Sequence, residues 1–145
     1  MSDIKWEKKY EIGHERIDFE HQIFVDLIVK IDDAVKREKD KDKDKDKDKD
    51  KDKDYIERLL HELQAYATFH FISEENIMYS INYPDFENHK KHHNELLDKY
   101  NQKLMEIELD EQKVEDLIVF LKSWFVKHTL NEDKKIAIFV KGKNI

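Results

Sequence analysis

The sequence predicts an all-α protein: an antiparallel up-down-up-down four-helix bundle with an N-terminal arm and a short C-terminal tail. Three observations carry that prediction. Helix breakers are nearly absent, since Gly13, Pro84 and Gly142 are the only glycines and proline in the 145-residue chain, whereas turn-rich β folds need many more. Apolar residues recur at 3–4 spacing through four segments, the period of an amphipathic helix. Those segments are ~20 residues long and joined by short connections, which is the pattern of a bundle. A chain of this length is expected to form one domain, spanning residues 1–145.

The elements follow in order. An arm carrying Ile4, Trp6, Tyr10 and Ile12 precedes the first segment, which runs from about Asp18 to Arg37 with Phe24, Ile28, Ile31 and Val35 as its stripe. The second runs from about Tyr55 to Ser80, with Ile56, Leu59, Leu63, Tyr66, Ala67, Ile77 and Met78. The third begins after Pro84, a residue suited to a helix's first turn, and carries Phe86, Leu96, Leu97, Tyr100, Leu104 and Ile107, with Met105 also assigned to the core. The fourth starts near Asp110, an expected N-cap, and carries Val114, Leu117, Ile118, Leu121, Trp124 and Phe125. Ile136, Ile138, Phe139 and Val140 form the tail.

Between the first two segments lies an uninterrupted Lys-Asp repeat, Lys39 to Asp54. Its period of two is strand-like, but it has no apolar face to bury. As a helix it would set like charges at i,i+4 against opposite charges at i,i+3. DKDKD resembles the start of a calcium loop, yet Lys stands where the sixth-position Gly is needed and no Glu closes the loop. The expected role is a solvated spacer. The repeat also inflates the charged fraction; without it the composition is that of an ordinary globular domain.

Composition excludes several functions. There is no Cys, which removes thiolate zinc sites, iron–sulfur clusters, disulfides and cysteine nucleophiles. The opening MSDIKWEKKYEIG contains no apolar run of a secretory signal, and no stretch approaches the ~20 apolar residues of a membrane span. A net charge of −7 without a basic patch argues against nucleic acid. A soluble, cytoplasmic, monomeric domain is expected, with neither nucleic acid nor membrane as partner.

The conspicuous excess is eight His. His21 continues the stripe of the first segment; His70 and Glu74 lie four apart on the second, His89 and His93 four apart on the third; His128 continues the fourth, with Asp133 five residues on. An i,i+4 pair places two side chains over one spot on a helix face. His21 and His93 lie ~15–16 residues before the ends of their segments, and His70 and His128 equally far after the starts of theirs, so all four arms are ~22–24 Å long. In an up-down bundle the seven groups then meet in one layer, at the end opposite the repeat. A lone His on an apolar stripe is ordinarily a hydrogen-bonded core residue. Five His and two carboxylates at one depth would be too costly to bury without a cation. Seven ligands exceed one ion. Five imidazoles, two bridging carboxylates and a bridging hydroxide fill all but one position of two six-coordinate ions. Imidazole suits Zn, Cu, Fe and Ni, so ligand type leaves the metal open. His61 lies in HELQA, where Ala65 replaces the second His of a zinc-protease motif.

These motifs resemble the hemerythrin family, in particular single-domain bacterial hemerythrins, over nearly the whole chain. The resemblance rests on Trp6, Tyr10, Gly13, Ile17, Asp18 and His21, on His70 to Glu75, on Tyr83, Pro84, His89 and His93, and on Trp124, His128 and Asp133. It implies a non-haem di-iron site in which His89, His93 and His128 bind one iron, His21 and His70 bind the other, and Glu74 and Asp133 bridge. It also implies reversible O2 binding for storage, delivery or buffering, with O2 as the partner and no enzymatic turnover. A di-iron redox enzyme acting on O2, peroxide or nitric oxide, or an O2 or iron sensor, is the alternative. Family members carry Trp-Leu before the fourth His and Ile after it; here the O2 pocket reads Trp124, Phe125 and Thr129, and Thr129 brings a hydroxyl. Of the remaining residues, His14, His61 and His92 are expected at the surface, and Glu75 and Asp18 are expected to accept hydrogen bonds from ligand imidazoles.

Overall fold

The computed structural model describes residues 5–39, 49–107 and 111–142. A short 3-10 turn, Lys8–Tyr10, leads into four long helices: α1 (Glu15–Lys39), α2 (Lys49–Ser80), α3 (Phe86–Ile107) and α4 (Glu111–His128). They form the expected four-helix bundle. A π-helical turn, Thr129–Asp133, then carries the chain directly into α5 (Lys134–Gly142). The segment read as a tail is therefore a helix, because Ile136 and Ala137 find a buried seat beside Ile12, Ile17, Met78, Ile81 and Tyr83. Ile138, counted with the tail's apolar residues, faces outward.

The helix boundaries have local causes. Gly13 takes φ +92, a left-handed conformation that a side chain would resist. That turn lets the Asp18 carboxylate accept the Ile12 N–H at 2.8 Å and the Gly13 N–H at 3.2 Å. Asp18 thus ties the arm to α1 and does not reach a ligand imidazole as expected. His14 Nδ1 accepts the Ile17 N–H at 3.3 Å, closing the same helix start. Between α2 and α3, Asn82 adopts φ 55. The Asn82 N–H reaches Tyr79 O at 3.2 Å and the Tyr83 N–H reaches Met78 O at 2.9 Å, the paired bonds of a Schellman stop. Pro84 lies in the turn that follows, two residues before α3 rather than in its first turn. The N-cap expected at Asp110, Ile4 of the arm, and residues 40–48 of the Lys-Asp repeat lie outside the described residues; residues 49–54 of the repeat open α2.

The main core is built from the predicted stripes. Phe24, Ile28 and Ile31 of α1 meet Leu60 and Leu63 of α2, Leu96 and Tyr100 of α3, and Leu117, Leu121 and Phe125 of α4. Met105 is a correction, being 84% exposed. It lies ~100° around the helix from Leu104, and Leu104 and Ile107 already supply the inward face at that end. A second cluster, formed by the arm, the α2–α3 turn and α5, closes the other end. No helix among the described residues is long and apolar enough to cross a membrane.

Candidate metal centre

All four long helices send imidazoles or carboxylates into one buried layer. His21 comes from α1, His70 and Glu74 from α2, His89 and His93 from α3, and His128 from α4; Asp133 comes from the π turn. Each is at most 6% exposed. They fall into two groups whose ligand atoms lie within 4.8 Å of one another: Glu74, His89, His93, His128 and Asp133, and His21, His70, Glu74 and Asp133. The two carboxylates belong to both groups, and their oxygens divide between them. Glu74 Oε1 faces His89 Nε2 at 2.5 Å and His93 Nε2 at 3.2 Å, while Oε2 faces His70 Nε2 at 3.1 Å and His21 Nε2 at 3.8 Å. Asp133 Oδ1 is 3.1 Å from His89 Nε2 and 3.0 Å from His128 Nε2, while Oδ2 is 3.1 Å from His21 Nε2. This is the division of oxygens that two bridging carboxylates require.

The π turn brings Asp133 into this layer. On an α-helix, five residues advance ~500°, leaving the side chain ~140° away from its starting face. The wider turn, in which the Lys134 N–H bonds to Thr129 O, five residues back, admits one more residue per turn. His128 and Asp133 therefore share a face.

Two of the imidazoles are held from behind. His70 Nδ1–H donates to Glu20 Oε1 at 2.7 Å, and His93 Nδ1–H donates to Glu75 Oε2 at 3.0 Å. Each bond fixes the tautomer with the Nε2 lone pair facing the cluster, as a metal ligand needs. Glu75 is where the sequence reading put it; Glu20 was missed. Its Oε2 also accepts from Ser73 Oγ at 2.8 Å and Arg16 Nε at 2.9 Å, and its backbone carbonyl accepts the Tyr66 hydroxyl at 2.7 Å. A signal existed: position 20 lies three residues after Ile17 and four before Phe24, both buried, so it belongs to the inward face. Of the remaining His, His61 is exposed, while His14 and His92 are half-buried rather than fully at the surface. None of the three joins either group.

The centre fits a cation on two grounds. Glu74 Oε2 and both Asp133 oxygens make no hydrogen bond although imidazole nitrogens crowd them, so the atoms converge on shared points rather than pairing. The charge balance agrees. Burial favours the neutral carboxyl, but the surrounding imidazoles of His128, His70, His89 and His93 outweigh it and hold Glu74 well below the usual range. Asp133 is lowered as well, with burial and Glu74 opposing and His128 and His21 prevailing. Burial pulls the imidazoles down, yet carboxylates drive His70 and His128 up to about 9 and His89 up to about 10. Two buried negative charges thus demand positive charge, which protons supply if a metal does not.

A pH dependence follows. Imidazoles with raised pKa values stabilise the metal-free fold fully below the unfolded value, ~6.5, and lose that contribution as pH rises through about 9 to 10. A metal needs the same imidazoles neutral. The increase in Tm on adding metal is therefore expected to be larger at about pH 9 than at about pH 6. Melting curves with and without a chelator at both pH values check this, and an equal increase at both would contradict it.

Beside the centre is a small cavity of about 10 Å³. Phe24, Phe71, Trp124, Phe125 and Thr129 wall it on the sides not formed by the cluster itself. The three residues expected at the O2 pocket, Trp124, Phe125 and Thr129, therefore meet at one place.

The model of the hemerythrin HHE cation-binding domain matches residues 12–138. A bacteriohemerythrin of Clostridium acetobutylicum is 30% identical over 132 residues, covering 90% of this chain and 95% of that protein. A bacteriohemerythrin of Pseudomonas aeruginosa is 24% identical over 133 residues, covering 92% and 78% respectively.

Proposed function

This chain belongs to the hemerythrin family, and on that premise we propose that it binds O2 reversibly at a pair of iron ions, as a storage, delivery or buffering protein rather than an enzyme. His89, His93 and His128 would hold one ion, His21 and His70 the other, and Glu74 and Asp133 would bridge them. The observation that carries the reading is the division of both carboxylates between a three-imidazole and a two-imidazole group. Unequal coordination leaves an open position on the side with fewer imidazoles. When bound, an iron pair supplies the two electrons that O2 takes up and gives back.

The chain's own residues do the rest. Glu20 and Glu75 orient His70 and His93 so that they offer lone pairs rather than protons to the centre. Phe24, Phe71, Trp124 and Phe125 keep bulk solvent and bulky reductants from the cavity, whose size admits a small guest. Five neutral imidazoles donate less negative charge than the carboxylate-rich di-iron bundles, which favours return of the electrons over cleavage of O2. The reading includes a single domain over residues 1–145, with the Lys-Asp repeat as a spacer, working as a cytoplasmic monomer.

The test is an optical spectrum of anaerobically reduced, iron-loaded protein, exposed to air and then purged with argon. A visible charge-transfer band that develops in air and fades on purging is expected. A band that never forms, or one that passes at once into a stable oxidised spectrum, would replace this reading with redox catalysis or sensing.

A further inference from the structure

The cavity beside the centre holds one polar group that the metal site leaves unused. Thr129 is 1% exposed, and its Oγ1 is buried without a hydrogen-bond partner. A helical Thr ordinarily returns its hydroxyl to the carbonyl four residues back, here that of Phe125. At Thr129 the chain enters the π turn, and the hydroxyl bonds neither to that carbonyl nor to any other group. An unpaired hydroxyl in an apolar surrounding is unfavourable unless a guest satisfies it. The remaining polar residues on the cavity wall are His21, His70, His128 and Asp133, all members of the cluster. Thr129 therefore supplies the one hydroxyl among the residues that line this cavity. At about 10 Å³ the space suits one water-sized molecule.

We infer that the Thr129 hydroxyl is the hydrogen-bond donor of this pocket, and that it lets a water molecule or a water-sized anion compete with an apolar guest of similar size. The inference rests on the cavity lying at the open side of the metal pair, as proposed above. The four aromatic walls favour an uncharged diatomic, whereas the hydroxyl favours an acceptor that carries negative charge. Thr129 is thus a specificity-determining residue of the pocket.

Fluoride, a water-sized anion and a strong acceptor, tests this. The oxidised, iron-loaded protein is titrated with fluoride and followed by its optical spectrum. Thr129→Val keeps the shape and removes the donor, and is expected to weaken fluoride binding by about tenfold to a hundredfold, the range for a hydrogen bond to a charged group. Thr129→Ser keeps the donor and is expected to stay within about threefold of the parent protein. Equal affinity in parent and Val proteins, or equal losses in Val and Ser, would overturn the inference, the second by showing a packing effect. A second readout needs no metal: the metal-free Val protein is expected to melt at or above the parent's temperature, and a lower Tm would show that the hydroxyl already has a partner. If the iron-loaded parent shows the O2 band but no response to fluoride, the inference fails and the proposed function stands. If the parent takes up no iron, the proposed function fails and the metal-free melting comparison still decides whether the hydroxyl is unpaired.

Discussion

Replacing Glu74 with Gln is expected to strip both halves of the centre at once. Glu74 is fully buried, and its oxygens face imidazoles of both groups. The change removes one of the two carboxylate charges that the two groups share. Breaking one partner out of a buried ionic cluster costs about 3–5 kcal/mol, so metal affinity should fall by about two to four orders of magnitude. The metal-to-protein ratio after gel filtration, with helicity followed by circular dichroism, reads the outcome. Loss of metal with the helices intact is expected; retention of two ions per chain would show that Glu74 does not bridge. Glu75→Gln is a graded comparison. Glu75 acts only through His93, and removing such a partner costs about 10–100-fold in metal affinity.

Phe125→Ala is expected to be the most damaging of the pocket substitutions. The ring is 2% exposed, stacks on Phe24 at 5.5 Å, and meets Tyr10 and His21 edge-on at 5.7 and 5.3 Å. It belongs at once to the main core and to the cavity wall. Truncating such a ring costs about 3–5 kcal/mol, read as a lower urea midpoint. The void would also admit water to the centre, so the oxygenated form should lose its lifetime by at least about tenfold in a variant that still folds. An unchanged midpoint would contradict the packing seen here. Trp124 differs, since it is only half-buried and also lines a surface groove beside His92, Lys99 and Lys127. Trp124→Ala should therefore shorten that lifetime with a smaller loss of stability.

The meeting of these seven side chains is legible because helices repeat. His70 with Glu74 and His89 with His93 announce a shared face at i,i+4, and equal arm lengths to the helix ends bring those faces to one depth. The π turn was not legible: TLNED contains no breaker, and an interval of five between His128 and Asp133 fits no α-helical face. Only the demand for a seventh ligand shows that the helix must widen there. Asp18 serves the arm's backbone instead of an imidazole, whereas Glu20, on the buried face, holds His70. The tail's helix is not legible because five apolar residues, Ile136 to Val140, are too few to declare a helix unless the preceding one continues into them. Met105 was misplaced by treating hydrophobicity as burial at a helix end where Leu104 and Ile107 already fill the interior.

The π turn has a consequence for how this chain tolerates change in length. α4, the turn and α5 form one continuous rod, so the winding of the turn sets the angular phase of everything after it. Deleting one residue between Thr129 and Glu132 would return the turn to ordinary winding with the later side chains nearly in phase, since a four-residue interval advances ~400°, whereas inserting one would swing them by ~100°. With that insertion Asp133 would leave the centre, and in the same movement Ile136 and Ala137 would leave their seat against Ile12 and Ile17. A one-residue insertion there is read twice, once as chemistry and once as closure of the bundle end. A loop of equal length would absorb it.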